Sequence, residues 1–260
     1  PTMVMPIDAG RPISIRAIDE ALARDRVLLI VSQRDKEVET PRPSDLFEVG
    51  TACNILKMRK NPDGSVQVLV QAFARVRVRE WLDLGDHLEA RGEVLADEPG
   101  EPILVKALVR EVKDKFQALL KEGKYLAPEV AQFILNLEDP SQLADYVAFH
   151  MDFRLEDKQK VLETANVAER LRAVLVLLEA ELALIETQRR IQQQVKEEID
   201  RNQREYFLRE QMKAIQRELH GEEGEQEVEE FRRKLEALDL PPVVRQEVER
   251  ELNRFARMHP

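Results

Sequence analysis

The chain has 260 residues, with 40 lysines and arginines against 50 aspartates and glutamates, a formal charge of -10. That balance excludes a surface dominated by polyanion binding and leaves room only for a local basic patch. A single cysteine, Cys53, excludes an internal disulfide framework, and His87, His150, His220 and His259 are too scattered to complete a zinc motif with it. The longest apolar run, residues 173–178, stops at Glu179 and cannot span a bilayer. No basic, then apolar, leader opens the chain. Both ends read as cut points within a larger protein.

The first half predicts mixed structure. Residues 3–7 read as a short strand, and Ile15, Ile18 and Leu22 follow helical spacing after Pro12. Residues 27–31 form a compact apolar strand, and the charged stretch 34–44, with Pro41 and Pro43, reads as a loop. Residues 52–59 and 65–78 flank Asn61-Pro-Asp-Gly64, a hairpin signal, because glycine tolerates the positive φ of a tight turn. Val66, Val68 and Val70 share one face of the return strand, with Leu69 and Phe73 on the other. Apolar residues on both faces suit a curled sheet or small barrel. Residues 88–95 supply another strand, and Pro99 and Pro102 close the sheet region.

The second half predicts helices. No proline occurs between Pro140 and Pro241 and no glycine between Gly123 and Gly221. A helix of about 20 residues follows Pro102, Pro128 and Pro140 suit the first turns of two more, and residues 155–162 add a turn or two. A long helix starts near residue 163 or 166. Leu171, Val174, Leu178, Leu182 and Ile185 make its seam, which thins through residues 188–194 and restarts at Leu208, Met212, Ile215 and Leu219. Over residues 166–219 it would rise roughly 80 Å as an arm. Gly221 is read as its cap, and a last helix carries Val244, Val248, Leu252 and Phe255, after Leu240 and two prolines.

No complete catalytic constellation is visible. The chain has no phosphate-cradling Gly-x-x-x-x-Gly-Lys-Ser/Thr loop, no Gly-x-Ser-x-Gly elbow and no His-Glu-x-x-His pair. Cys53 sits in an apolar strand and reads as structural. Arg75, Arg77 and Arg79 alternate along a strand, which points either to an acidic peptide or RNA or, more plainly, to a solvated face near Asp83 and Asp86. The stronger candidates are apolar. Met3, Met5 and Ile7 near the start, Trp81, Met151 and Phe153, and Tyr206, Phe207, Met212 and Ile215 on the arm each offer a surface for a polypeptide or a place in a core.

Several segments together resemble one family. They are Pro6-Ile-Asp-Ala-Gly-Arg-Pro12 with Ser14-Ile-Arg-Ala17, Phe47-Glu-Val-Gly-Thr-Ala-Cys-Asn-Ile-Leu56, and Asn61-Pro-Asp-Gly-Ser-Val-Gln-Val-Leu-Val70. Asp157-Lys-Gln-Lys-Val-Leu-Glu163, Val167-Ala-Glu-Arg-Leu171 and, most distinctively, Asn202-Gln-Arg-Glu-Tyr-Phe-Leu-Arg-Glu-Gln-Met-Lys-Ala-Ile-Gln-Arg-Glu-Leu219 follow in order. The chain resembles the amino-terminal region of bacterial Lon, the ATP-dependent serine protease family.

The resemblance implies an α+β fold: a PUA-like curled sheet or barrel over residues 1–102, a helical subdomain over 103–162, a long arm over 163–220, and the start of a module leading into an ATPase over 221–260. It implies recognition of unfolded or damaged polypeptides, assembly into a homohexamer, and a cytoplasmic rather than membrane setting. The alternatives are a structural role in assembly and gating and, third, DNA or RNA binding. ATP and magnesium would serve a motor downstream of this region. The catalytic Ser-Lys dyad would also lie downstream, so no residue here is assigned a catalytic, cofactor-binding or metal role.

Overall fold

The computed structural model describes residues 1–123, 126–238 and 241–255, with side chains at all of these but 83, 216–217, 219–227, 236, 242–243 and 255. Leu240 and His259 lie outside the described residues; Asp83, Leu219, His220 and Phe255 lie outside the described side chains. The chain divides into two units, residues 1–186 and 187–260.

The first unit opens with strand β1 (Val4–Ala9), helix α1 (Pro12–Ala23), and strands β2 (Val27–Ile30), β3 (Val49–Lys60), β4 (Val66–Asp83) and β5 (Leu88–Leu95). Gly64, at φ 86°, makes the turn between β3 and β4. All pairings are antiparallel, in the order β1-β4-β3-β2, with β5 also on β4.

This sheet is open, which corrects the expected curled sheet or barrel. β4 is long enough to pair with β1 through residues 66–71 and with β5 through residues 75–83, while β2 ends the sheet beyond β3. Among the described residues no pairing joins the ends. The apolar residues on both faces have another cause. Helices cover one face, and two register shifts between β3 and β4 leave Leu56 and Phe73 as extra residues on the other. On the covered face, α1 packs Ile18 and Ala21 against Val66, Val68 and Val70, each of these valines 1% exposed. Burial of that kind stabilises by about 1.5–3 kcal/mol per side chain.

Helices α2 (Pro102–Lys121), α3 (Pro128–Leu135), α4 (Pro140–His150) and α5 (Leu155–Glu163) follow. In this unit α1, α2, α3 and α4 each begin on a proline, whose missing N–H costs nothing in a first turn. Asp139 adds a side-chain cap to α4, accepting from the Ser141 and Gln142 amides. Leu108, Val112, Phe116, Leu119, Ile134, Leu143 and Val147 enclose a second core with Leu171, Val174 and Leu178. The latter three belong to α6 (Val167–Glu236).

Within the first unit, polar contacts fasten the helices to the sheet. The buried Gln159 amide of α5 donates to the Val49 carbonyl of β3 at 2.9 Å. Glu98 bridges to Asn166 beside the start of α6.

The second unit holds the rest of α6 and α7 (Pro242–Phe255). α6 runs through Gly221 as unbroken helix, so the cap expected there is absent; without a partner loop in αL geometry, glycine only weakens a helix. Arg232 on α6 donates to Asn253 on α7 at 3.0 Å, and Leu235 is buried. Among the described residues no helix is long and apolar enough to cross a membrane.

Candidate functional site: an apolar cleft and an aromatic ladder

Antiparallel register dictates which side chains share the covered face of the sheet. Met5 stands opposite Val70 and Ile7 opposite Val68, while Cys53 pairs with Ala72 and Thr51 with Ile30. Met3, beside Ala72, continues the same row. Between these side chains and helices α4 and α5 lies a cleft of about 290 Å³. Its sheet side includes Met3, Met5, Ile7 and Ala72; its helix side includes Phe149, Val161 and Leu162. Cys53 lines it too, but burial pushes its thiol up to about 11, so it is protonated and inert at neutral pH.

Phe149 also ends a row of rings along the outside of α3 and α4. Phe133 meets Tyr146 edge-on at 5.2 Å, Tyr146 stacks on His150 at 6.3 Å, and His150 meets Phe149 edge-on at 4.9 Å. Phe133 and Phe149 remain 49% and 47% exposed, large values for phenylalanines in contact with other rings. Burial, assisted by the nearby Lys158 ammonium, holds the His150 pKa below the ordinary imidazole value. Both effects favour the neutral His150 ring, and the ladder continues the apolar lining of the cleft.

One end of the cleft abuts a buried ionic cluster. The extra residue at Phe73 resets the alternation of β4 and brings Arg75 opposite Thr51, onto the covered face. There Arg75 pairs with Asp145 of α4 and, at 2.9 Å, with Asp97. Arg170, at the start of α6 and 0% exposed, donates to Asp97 at 2.7 Å, to Ser141 at 2.8 Å and to the Thr164 carbonyl at 2.8 Å. Burial pushes the Asp97 carboxyl up, but the hydrogen bonds from Arg170 and Ser141 and the two guanidinium charges outweigh it and hold the group below its ordinary value.

The reading of Arg75, Arg77 and Arg79 as one solvated basic face is thereby corrected. Arg75 is 3% exposed inside the cluster, and Arg79, the extra residue of the β4–β5 register shift, pairs with Glu93. Asp86 pairs instead with Arg16 and His87, and Asp83 lies outside the described side chains.

The predicted polypeptide-binding residues fall into separate places. Met3, Met5 and Ile7 line the cleft, although Met3 is only 8% exposed. Met151 is corrected to a core residue, 1% exposed, because the turn after α4 folds it under the helices. Phe153 is half-buried against the same core, and Trp81 is half-buried on β4 opposite Ala90. Tyr206, Phe207, Met212 and Ile215 are exposed on α6 in the second unit. Sequence reading missed Phe133, Phe149 and His150. The available signal was the spacing of Tyr146, Phe149 and His150, which puts three rings on neighbouring positions of one helix. Among the described residues, no group of three or more His, Cys, Asp or Glu side chains is gathered to hold a metal ion.

An α+β unit with an open antiparallel sheet, a helical layer and an apolar cleft between them defines a binding module, with no assembled catalytic group among its described residues. The chain belongs to the family described as the ATP-dependent protease La (LON) substrate-binding domain, whose model matches residues 1–180. It is 38% identical over 259 residues to the Lon protease of Brevibacillus choshinensis, 99% of this chain and 33% of that protein. To Lon protease 1 of Thermus thermophilus it is 42% identical over 268 residues, covering 100% of this chain and 34% of that one. It thus spans about a third of the length of these curated relatives. Among solved structures, the N-terminal domain of Mycobacterium avium complex Lon protease superimposes with a TM-score of 0.57 at 26% identity, over 69% of this chain and 91% of that one.

Proposed function

We propose that this chain is the client-recognition region of an ATP-dependent protease, and that exposed apolar segments of unfolded or damaged polypeptides lodge in the cleft and along the ladder. The observation that carries this reading is the largely apolar surface from Met5 through Phe149 to Phe133, with Asp145 and Lys158 the charged side chains in the cleft lining, on a domain of a substrate-binding family. An unfolded chain differs from its folded form chiefly in the large apolar side chains it exposes, and such a surface distinguishes the two by burying them. The cleft has the volume for one or two side chains, so a segment would be gripped at a few points rather than enclosed.

The proposal extends to the parent protein. A downstream motor using ATP and magnesium would pull the client, and a downstream Ser-Lys dyad would cut it; neither is built from residues of this chain. The proposed layout is a β-rich domain over residues 1–102, a helical subdomain over 103–162, an arm over 163–220 and the approach to the motor over 221–260, in a cytoplasmic homohexamer.

The test is binding of the 260-residue chain to one protein in its folded form and in a permanently unfolded form. The unfolded form should bind, and Phe149→Asp combined with Phe133→Asp should weaken it about tenfold or more, with an unchanged melting temperature. Equal binding of both forms, or indifference to the double substitution, would end the proposal.

A second reading, assembly through the arm, is favoured by Ile191, Val195, Ile199 and Tyr206. They recur at spacings that place them on one stripe of α6, each 49–68% exposed. Self-association that survives the ladder substitutions and is lost with Val195→Asp, without any binding of unfolded protein, would select that reading.

A further inference from the structure

The sheet face turned away from the cleft carries a second surface, with a different chemistry. The two extra residues of the β3–β4 pairing both point there. Ile55 stands opposite Val70 and Lys57 opposite Leu69, leaving Leu56 between them; Cys53 stands opposite Ala72 and Ala52 opposite Ala74, leaving Phe73. Each bulge aims a large apolar side chain into water, with Leu56 47% and Phe73 48% exposed. Val4 of β1, 52% exposed, and half-buried Leu69 belong to the same face.

Two cations share this face. Lys57 and Arg59 alternate on β3 opposite Leu69 and Gln67, both are exposed, and neither makes an ion pair among the described residues. Asp8, in the row of Gln67 and Arg59, is engaged by the Gln67 amide at 2.9 Å. On a chain with a net charge of -10, two adjacent unpaired cations beside exposed leucine and phenylalanine form a local positive, apolar patch.

We propose that this outer face docks an acidic segment of another polypeptide carrying two large apolar side chains, independently of the cleft. The apolar side chains would cover Leu56 and Phe73, and the carboxylates would meet Lys57 and Arg59. A wholly apolar segment would leave both cations unmatched at its edge, and a basic one would be repelled. Rim charges of this kind set specificity and association rate more than they set affinity.

The probes are two fluorescein-labelled peptides with the same Phe and Leu residues, one flanked by Asp and Glu and one by Lys. Anisotropy should show the acidic peptide binding the 260-residue chain about tenfold or more tightly than the basic one. Lys57→Glu with Arg59→Glu should reverse that preference. Phe73→Ser should weaken the acidic peptide severalfold and keep the preference, and Phe149→Asp at the cleft should leave the ratio of the two affinities unchanged, because it removes only the charge-indifferent apolar binding there. All these positions are exposed, and circular dichroism checks that the variants fold. No binding of the acidic peptide, equal affinity for both peptides, or a preference abolished by Phe149→Asp alone would each overturn the proposal. So would self-association abolished by the double charge reversal, which would assign the face to a second copy of the chain.

Discussion

Arg75 on β4 and Asp145 on α4 form a buried ion pair in which one guanidinium nitrogen reaches both carboxylate oxygens, with side chains 2% and 9% exposed. The pair spans the sheet and the helical layer of the first unit, beside the cleft. Arg170 enters the same cluster through Asp97 and Ser141, so the start of α6 is tied to it as well.

Removing Arg170 should therefore be costly. Arg170→Met deletes charge-assisted hydrogen bonds to Asp97 and donors to Ser141 and the Thr164 carbonyl, and leaves those acceptors short of partners. Breaking a buried pair by removing one member costs about 3–5 kcal/mol. Urea unfolding of the first unit should show a loss of that size, whereas the exposed pair Arg91–Glu80 should lose less than about 1 kcal/mol on Arg91→Ala.

Acid should loosen the same cluster. Asp97 is held below its ordinary pKa, so its contribution is complete above the value it has in the unfolded chain and disappears as pH falls through the lower, folded value. Asp97→Asn should remove that acid sensitivity, measured as melting temperature from pH 5 down to pH 2.

His87 should respond in the opposite sense. It is 6% exposed and lies 2.6 Å from Asp86, and the hydrogen bond to that carboxylate, with Glu89 nearby, lifts its pKa above the ordinary imidazole value. Arg16 on α1 and Arg24, just after its C-terminus, reach the same two acids. The stabilisation by His87 is complete below the pKa of the unfolded chain and is lost as pH rises through the higher, folded value. His87→Gln should flatten the pH dependence of melting between about pH 6 and pH 8.

Gly50→Ala should disrupt the β2–β3 pairing. A Cβ at position 50 would lie 2.5 Å from the Ile30 carbonyl oxygen and 2.8 Å from a Val31 methyl. The carbonyl belongs to the backbone of a paired strand and cannot swing aside, so overpacking by about 1–3 kcal/mol is expected in a denaturant titration. Gly10→Ala, with no neighbouring atom within 4 Å, serves as the control.

Cys53 should resist alkylation. The thiol is 2% exposed and its pKa is near 11, so iodoacetamide at pH 8 should react on the order of a hundredfold more slowly with the folded than with the urea-unfolded chain. Similar rates in the two states would contradict the buried, protonated thiol.

Much of the fold was legible because it follows local rules. Pro12, Pro102, Pro128 and Pro140 each mark a first helical turn, Gly64 makes its turn, and Val66, Val68 and Val70 share a buried face as their alternation requires. The site was legible only in part. Met5 and Ile7 line the cleft, but Met151 has the same chemistry and vanishes into the core, and the ring of Phe149 gains its meaning from Phe133 on another helix.

The sequence by itself determined roughly where helices and strands start, that a long breaker-free helix fills the second half, and which family the chain joins; that the helix continues through Gly221 to Glu236 it did not determine. Tertiary structure alone decided that the sheet stays open, that Arg75 is buried, and that Leu56 and Phe73 point to water. The reason is physical. A side-chain period of two tells which residues share a face until one extra residue shifts it, and where that residue is absorbed depends on the neighbouring strand. Which face is then covered depends on helices distant in the chain, α1 before the β3–β4 hairpin and α4 and α5 well after it.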